Sequence, residues 1–252
     1  MVRAIRMEKG LLALVYALIG VAAVATAVTI AGFNVDIAIS KLLFDPATGQ
    51  FIGRGDRYFD MLRDHGFVAV ATCIGCVVLA ANRYLPWRLP SIPTRTAIVL
   101  TLSLLLGPGL LVNGILKEHW DRPRPFDVTE FGGTKPFVNW WNPNGACERN
   151  CSFISGEAAT AAWMFGPAMY LPPPWRVPAL AAAAVFAGAM SVLRMAAGAH
   201  FFTDVLFGVL STLLILLAMR AAADRWFKPA RTAARNELAE QGAEAPRATP
   251  TA

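Results

Sequence analysis

The stretch "TAIVLTLSLLLGPGLLVNGILKEHWDRPRP", residues 96–125, is apolar from Thr96 to Leu116 and densely charged from Lys117 onward. A membrane-spanning helix needs roughly 20 mostly apolar residues, and Thr96 to Leu116 supplies them. The Lys117 to Pro125 segment then holds a lysine, two arginines, an aspartate and a glutamate where the chain leaves the bilayer. Charges at such a boundary are functional candidates, because taking them near hydrocarbon is costly.

The rest of the chain repeats the first half of that pattern. Other apolar runs are Leu11 to Gly32, Phe67 to Ala81, Ala158 to Leu171, Val177 to Leu193 and Val205 to Met219. With 56% hydrophobic and 16% charged residues in 252, against about a quarter charged in soluble domains, the chain has no means of clothing these runs in a polar shell. The expectation is an all-α, polytopic membrane protein with six transmembrane helices. The second and fourth runs are short and must recruit flanking residues. The first run is too long for the usual signal-peptide core of about 7 to 15 residues, so it reads as a span. Gly107-Pro108-Gly109 should bend the third span. Asp36 to Phe67, divided by Asp45-Pro46, reads as two interfacial amphipathic helices. Residues 1–227 form one membrane domain, and the Ala-, Glu-, Arg- and Pro-rich residues 228–252 read as a disordered cytoplasmic tail.

Basic flanks set the orientation. Arg3, Arg6 and Lys9, then Arg83, Arg88 and Arg95, then Arg220 to Arg235 fall on one side of a six-span chain, which is the cytoplasmic side. Phe33 to Gly66 and Lys117 to Phe153 mix their bases with acids and face outward, into the periplasm of a bacterial inner membrane. The net charge of +6 is this cytoplasmic excess, so it gives no reason to expect nucleic acid. The bilayer and a membrane lipid are the partners expected, with no obligate protein partner evident. Cys147 and Cys151, four apart in the outward loop, are expected to form a disulfide. Cys73 and Cys76 lie within the second span and read as buried apolar thiols.

Three polar clusters share the outward side: Lys117 to Pro125, Ser152 to Glu157, and Arg194 to Asp204. Lys117, Arg124 and Arg194 supply cations, and arginine offers a planar fork suited to phosphate oxygens. Ser155 and Gly156 open the fourth span, where free backbone N–H groups favour an anion, although a Ser-Gly start is also an ordinary helix cap. His200 and Asp204, four apart, would share a helix face with the carboxylate holding one ring nitrogen. Such a pair is also a common structural hydrogen bond.

The spacing Lys117, six residues, Arg124-Pro125, then Ser155-Gly156, then Arg194, five residues, His200, three residues, Asp204 resembles the tripartite signature of the type 2 phosphatidic acid phosphatases. The resemblance implies that His200 attacks phosphorus to form a phosphohistidine and that Asp204 orients it. It also implies that Lys117, Arg124, Arg194, Ser155 and Gly156 hold the phosphoryl oxygens, with no metal and no other cofactor. Two motifs depart from the family pattern: Ile154 and Glu157 stand in place of the proline and histidine flanking Ser-Gly, and Leu193 in place of a serine. The family's leaving-group acid is therefore missing. Glu157, His119 or no dedicated acid fills that role. In this register Arg122 is peripheral.

Relatives of this kind act on undecaprenyl pyrophosphate, phosphatidylglycerol phosphate or lipid A phosphates, and the Ser-Gly-Glu turn with its cysteine-flanked loop looks most similar to lipid A 1-phosphatases. A phosphotransferase would share every site residue. A lipid transporter would instead place charges near the bilayer midplane, whereas here they sit at span ends.

Overall fold

The computed structural model describes residues 2–58, 60–61 and 92–226. The second expected span, its two cysteines and the tail from residue 228 lie outside the described residues.

Helix α1 (Val2–Ile30) is followed by the short α2 (Val35–Leu42), capped by the Asn34 side chain, which accepts from the Ile37 N–H. The chain then forms a two-residue hairpin, β1 (Phe44–Asp45) against antiparallel β2 (Gln50–Phe51). The turn at Asp45-Pro46 thus belongs to a hairpin that follows the first expected amphipathic helix, and the second lies largely outside the described residues. The cause is local: the Asp45 side chain accepts from the Ala47 N–H and the Thr48 hydroxyl, and Gly49 takes a left-handed φ of 67°.

Helix α3 (Thr94–His119) is regular to Leu104 and then widens to a π-helical course over Leu105–Leu116. Pro108 lies inside the wide part. Proline has no N–H to continue an α-helical ladder, and the Asn113 side-chain amide donates instead to the Pro108 carbonyl at 2.6 Å. The expected bend is therefore a change of helical pitch.

Helices α4 (Gly156–Trp163) and α5 (Phe165–Tyr170) make up the fourth expected span. Neither is long enough alone to cross a membrane. Ala158, Ala159, Ala161 and Ala162 are all buried, and their small side chains let α6 (Pro173–Ala196) and α7 (Phe202–Trp226) pack closely on α4. Trp163 ties α4 to α3 through its indole N–H, which donates to the Leu100 carbonyl and the Ser103 hydroxyl. Among the described residues, four helices are long and apolar enough to span: Gly10–Ile30, Thr94–His119, Pro173–Ala196 and Phe202–Trp226.

The ends of this bundle that carry the polar clusters are closed by two aromatic groups. Phe51, Val128, Phe131 and Phe201 form one, drawing the β-hairpin against the loop before α7. Phe153 packs with Trp120, Trp140 and Phe207 in the other. Both groups press the loop 120–155 onto the start of α7.

Candidate active site

Glycine 198 creates the turn from which the site is built. It ends α6 with a left-handed φ of 65°, and a Cβ there would press into the Phe51 ring. The N–H groups of Ala197, Gly198 and Ala199 return to the carbonyls of Leu193, Met195 and Arg194, which closes the helix end. His200 follows in the loop, fully buried.

Its Nδ1 lies 2.7 Å from the Ser152 carbonyl oxygen. A carbonyl only accepts, so Nδ1 carries the hydrogen and Nε2 keeps its lone pair. Among the described residues Nε2 has no hydrogen-bond partner. It faces the Glu157 carboxylate at 3.6 Å, and the other oxygen of that carboxylate pairs with Arg194 at 3.3 Å.

The remaining predicted groups converge on this point from other elements. Ser155 is the N-cap of α4, its hydroxyl oxygen accepting from the Ala158 N–H. A Cβ on Gly156 would meet the Asn113 side-chain oxygen at 2.9 Å and the Lys117 Nζ at 3.2 Å. The absent side chain therefore lets the ammonium stand against the start of α4. Arg124 lies near enough to Lys117 and Glu157 for their charges to interact. Its guanidinium donates through Nε and Nη2 to the Asn150 carbonyl at 3.1 and 2.9 Å. Asn150 sits inside the ring closed by the Cys147–Cys151 disulfide. His119 is exposed, its Nδ1 2.8 Å from the Ile115 carbonyl of its own helix.

Two expectations need correction. First, Asp204 does not bond the His200 ring, because α7 begins only at Phe202 and the pair is not stacked on one helix. Its Oδ2 stands 4.0 Å from Nδ1 and accepts instead from the Phe201 N–H at 2.8 Å and from the Ser152 hydroxyl. The link from carboxylate to imidazole runs through Ser152. Second, Arg122 is not peripheral. It is 0% exposed and lies at the centre of a buried network. It donates to the Val138 carbonyl at 3.0 Å, Thr203 Oγ1 at 2.9 Å, Asp204 Oδ1 at 2.5 Å and Asp36 Oδ2 at 2.6 Å, with its guanidinium over the Phe201 ring. Asp36 and Ser152 also escaped the motif reading. The available signals were an acid in the first turn of an apolar helix and a second Arg-Pro pair one step before the first.

Residues 96–227 match the family model described as PAP2 superfamily, more than half of the chain. The chain belongs to the PAP2 superfamily. Among its relatives, a lipid A 4′-phosphatase of Rhizobium etli is 47% identical over 122 residues, covering 47% of this chain and 46% of that protein. A lipid A 4′-phosphatase of Rhizobium leguminosarum is 43% identical over 119 residues, covering 47% of this chain and 51% of the relative. A third, from Francisella tularensis subsp. novicida, is 33% identical over 181 residues, 69% of this chain and 79% of the relative. The chain thus spans about half the length of the two rhizobial relatives. These three names specify the 4′-phosphate, not the 1-phosphate expected from the Ser-Gly-Glu turn. A PAP2 type phosphatidylglycerolphosphate phosphatase from Bacillus subtilis, solved by crystallography, is 23% identical, with a TM-score of 0.48 over 88% of this chain and 98% of its own.

Proposed function

We propose that this PAP2 protein removes phosphate from a membrane lipid, with the 4′-phosphate of lipid A as the first substrate to test, at the periplasmic face of a bacterial inner membrane. The observation that carries the reading is the free Nε2 of buried His200, aimed into a cluster of Lys117, Arg194 and Glu157 at the start of α4.

The chemistry follows from that arrangement. The Nε2 lone pair forms the N–P bond as the P–O bond to the lipid breaks, and the electron pair of that bond leaves with the lipid oxygen. Lys117, Arg124 and Arg194 neutralise the charge spread over the phosphoryl oxygens. In this reading cationic side chains do that work and no metal is called for. Water then attacks phosphorus, its proton is taken up by Glu157 or solvent, and the N–P bond breaks to return the imidazole. The lipid oxygen takes its proton from Glu157, once the bound phosphate has displaced the carboxylate from Arg194 and favoured its protonated form, or from water. The relatives named for lipid A support the substrate class, and the outward mix of acids and bases supports the orientation.

The test is phosphate release by purified protein in detergent from lipid A bearing only a 1- or only a 4′-phosphate, alongside phosphatidylglycerol phosphate and undecaprenyl pyrophosphate. Release from the 4′-phosphate well above the others is expected. Preference for one of the other lipids would reject lipid A 4′-phosphate as the substrate, and radiolabel appearing in a lipid acceptor would indicate phosphotransfer.

A further inference from the structure

We propose that Asp36, on α2 and ahead of the family-matched residues 96–227, is a positioning residue for His200 that acts through Arg122, Asp204 and Ser152.

Asp36 is 4% exposed, on a helix of eight residues that packs against α1 and α7. Its Oδ1 accepts from the Thr203 backbone N–H at 2.8 Å and its Oδ2 from the Thr203 hydroxyl at 2.6 Å. Thr203 lies in the first turn of α7, where backbone N–H groups lack partners within the helix. The carboxylate thus caps a neighbouring helix, the one that bears Asp204. The same Oδ2 accepts from Arg122 Nη2.

Arg122 has little freedom left. Its Nε is held by the Val138 carbonyl, Nη2 by Asp36, and Nη1 by Thr203 and Asp204. Asp204 in turn receives Arg122 on one oxygen, and the Ser152 hydroxyl and Phe201 N–H on the other. The Ser152 N–H donates to the Arg122 carbonyl at 2.9 Å. The Ser152 carbonyl, fixed in this way, holds His200 Nδ1. Each step is a short, buried hydrogen bond, so displacing one group moves the next.

Stability alone is a weak reason for such a network. Buried ion pairs are frequently no better than well-packed apolar side chains, whereas removing one partner leaves a stranded charge. What the network does supply is a fixed direction for the imidazole. In-line attack tolerates little error, and a displacement of about 1 Å can cost about a hundredfold in rate. The residue that anchors the far end of the chain therefore influences turnover without touching substrate.

This inference rests on His200 being the nucleophile, and the experiment separates the two. Acid-labile phosphohistidine is trapped from wild-type protein with labelled lipid phosphate, and its burst amplitude counts competent sites, so that kcat is expressed per site. Absence of a wild-type burst would remove the nucleophile assignment itself. Given a burst, Asp36→Asn is expected to lower kcat per site about 10- to 100-fold, the scale of a sub-ångström to 1 Å misplacement, with KM changed less than about threefold. Ser152→Ala, which cuts the same chain nearer its end, should lower kcat similarly, and the double variant should fall little below the worse single one. A variant harmed only by partial unfolding would lose burst amplitude and keep its rate per site. If Asp36→Asn does not fold, Thr203→Val, which removes the hydroxyl shared by Asp36 and Arg122 at nearly constant volume, is expected to show the same fall in kcat at constant KM. Wild-type kcat per site in the variant that folds, or losses that multiply in the double variant, would overturn the proposal.

Discussion

Glu157 and His200 face one another across 3.6 Å, carboxylate oxygen to free Nε2, while the second Glu157 oxygen pairs with Arg194. The Glu157 carboxylate therefore lies between the proposed attacking nitrogen and one of the proposed phosphate-binding cations. In the proposed reaction, phosphate binding displaces this internal anion and frees Glu157 for proton transfer.

The first prediction follows from that release. Glu157→Gln keeps size and hydrogen bonding but removes the proton supply. General acid catalysis is worth about a hundred- to ten-thousandfold when the leaving group needs a proton. The variant should slow a natural lipid monophosphate by that order and p-nitrophenyl phosphate only weakly, as measured by phosphate release from each. Equal losses on both substrates would make Glu157 a positioning group for the start of α4.

The pH profile reads His200. Burial drives its pKa below the ordinary 6.5 and the Arg194 charge adds to this, while the charges of Glu157 and Asp204 oppose. The imidazole is then neutral, and nucleophilic, at neutral pH. The ascending limb of kcat/KM should fall below pH 6.5, and Glu157→Gln should move it lower still by removing a negative neighbour. Stability has the matching sign: the unfolded chain takes up the proton first, so this contribution is present above about pH 6.5 and is lost as pH falls below it. A limb at or above pH 6.5 would contradict the neutral resting imidazole.

Arg122 and Arg124 should separate by kind of damage. Arg122→Ala strands the buried carboxylates of Asp36 and Asp204, a loss of about 3 to 5 kcal/mol for breaking a buried pair. Arg124→Ala surrenders a proposed phosphate-binding side chain that bonds the Asn150 carbonyl at the loop surface. Thermal unfolding in detergent should show a large fall for Arg122→Ala and a small one for Arg124→Ala, whose main effect should be a raised KM. Equal stability of the two variants would contradict the central place given to Arg122.

Orientation is tested by labelling. A single cysteine near Gly133, at the exposed Thr134 in the loop between α3 and α4, should react with an impermeant thiol reagent in intact spheroplasts, the native cysteines being replaced by serine. Reaction only after permeabilisation would invert the topology.

The residues legible from sequence were those whose meaning is local. Apolar length set the spans at Gly10–Ile30 and Thr94–His119, because hydrocarbon thickness fixes helix length whatever the neighbours. The cations Lys117 and Arg194 and the glycine at 156 stood out by residue type, and the fold brings Lys117 against Gly156 and Arg194 against Glu157 at the start of α4. Pitch was less legible: Pro108 announced a disturbance of α3, but only packing decided that it would be a π-helical stretch. The broken fourth span was likewise invisible, since an Ala-rich run reads as one helix until its neighbours fix where it turns.

The network behind His200 was decided by tertiary structure alone. Asp36 and Arg122 are 86 residues apart, Arg122 and Asp204 82, and Ser152 and Asp204 52. No local period encodes those pairs. His200 and Asp204 had the spacing of a helical pair, yet the helix starts between them, so the carboxylate turned to Arg122 and Ser152, and a backbone carbonyl took the ring. Residue types alone determined which chemical groups gather at this end of the bundle, because burial cost and charge belong to the residue type. Their hydrogen-bond partners were settled only when folding removed water and left each donor and acceptor to the nearest group that the packing of α2, α4 and α7 provided.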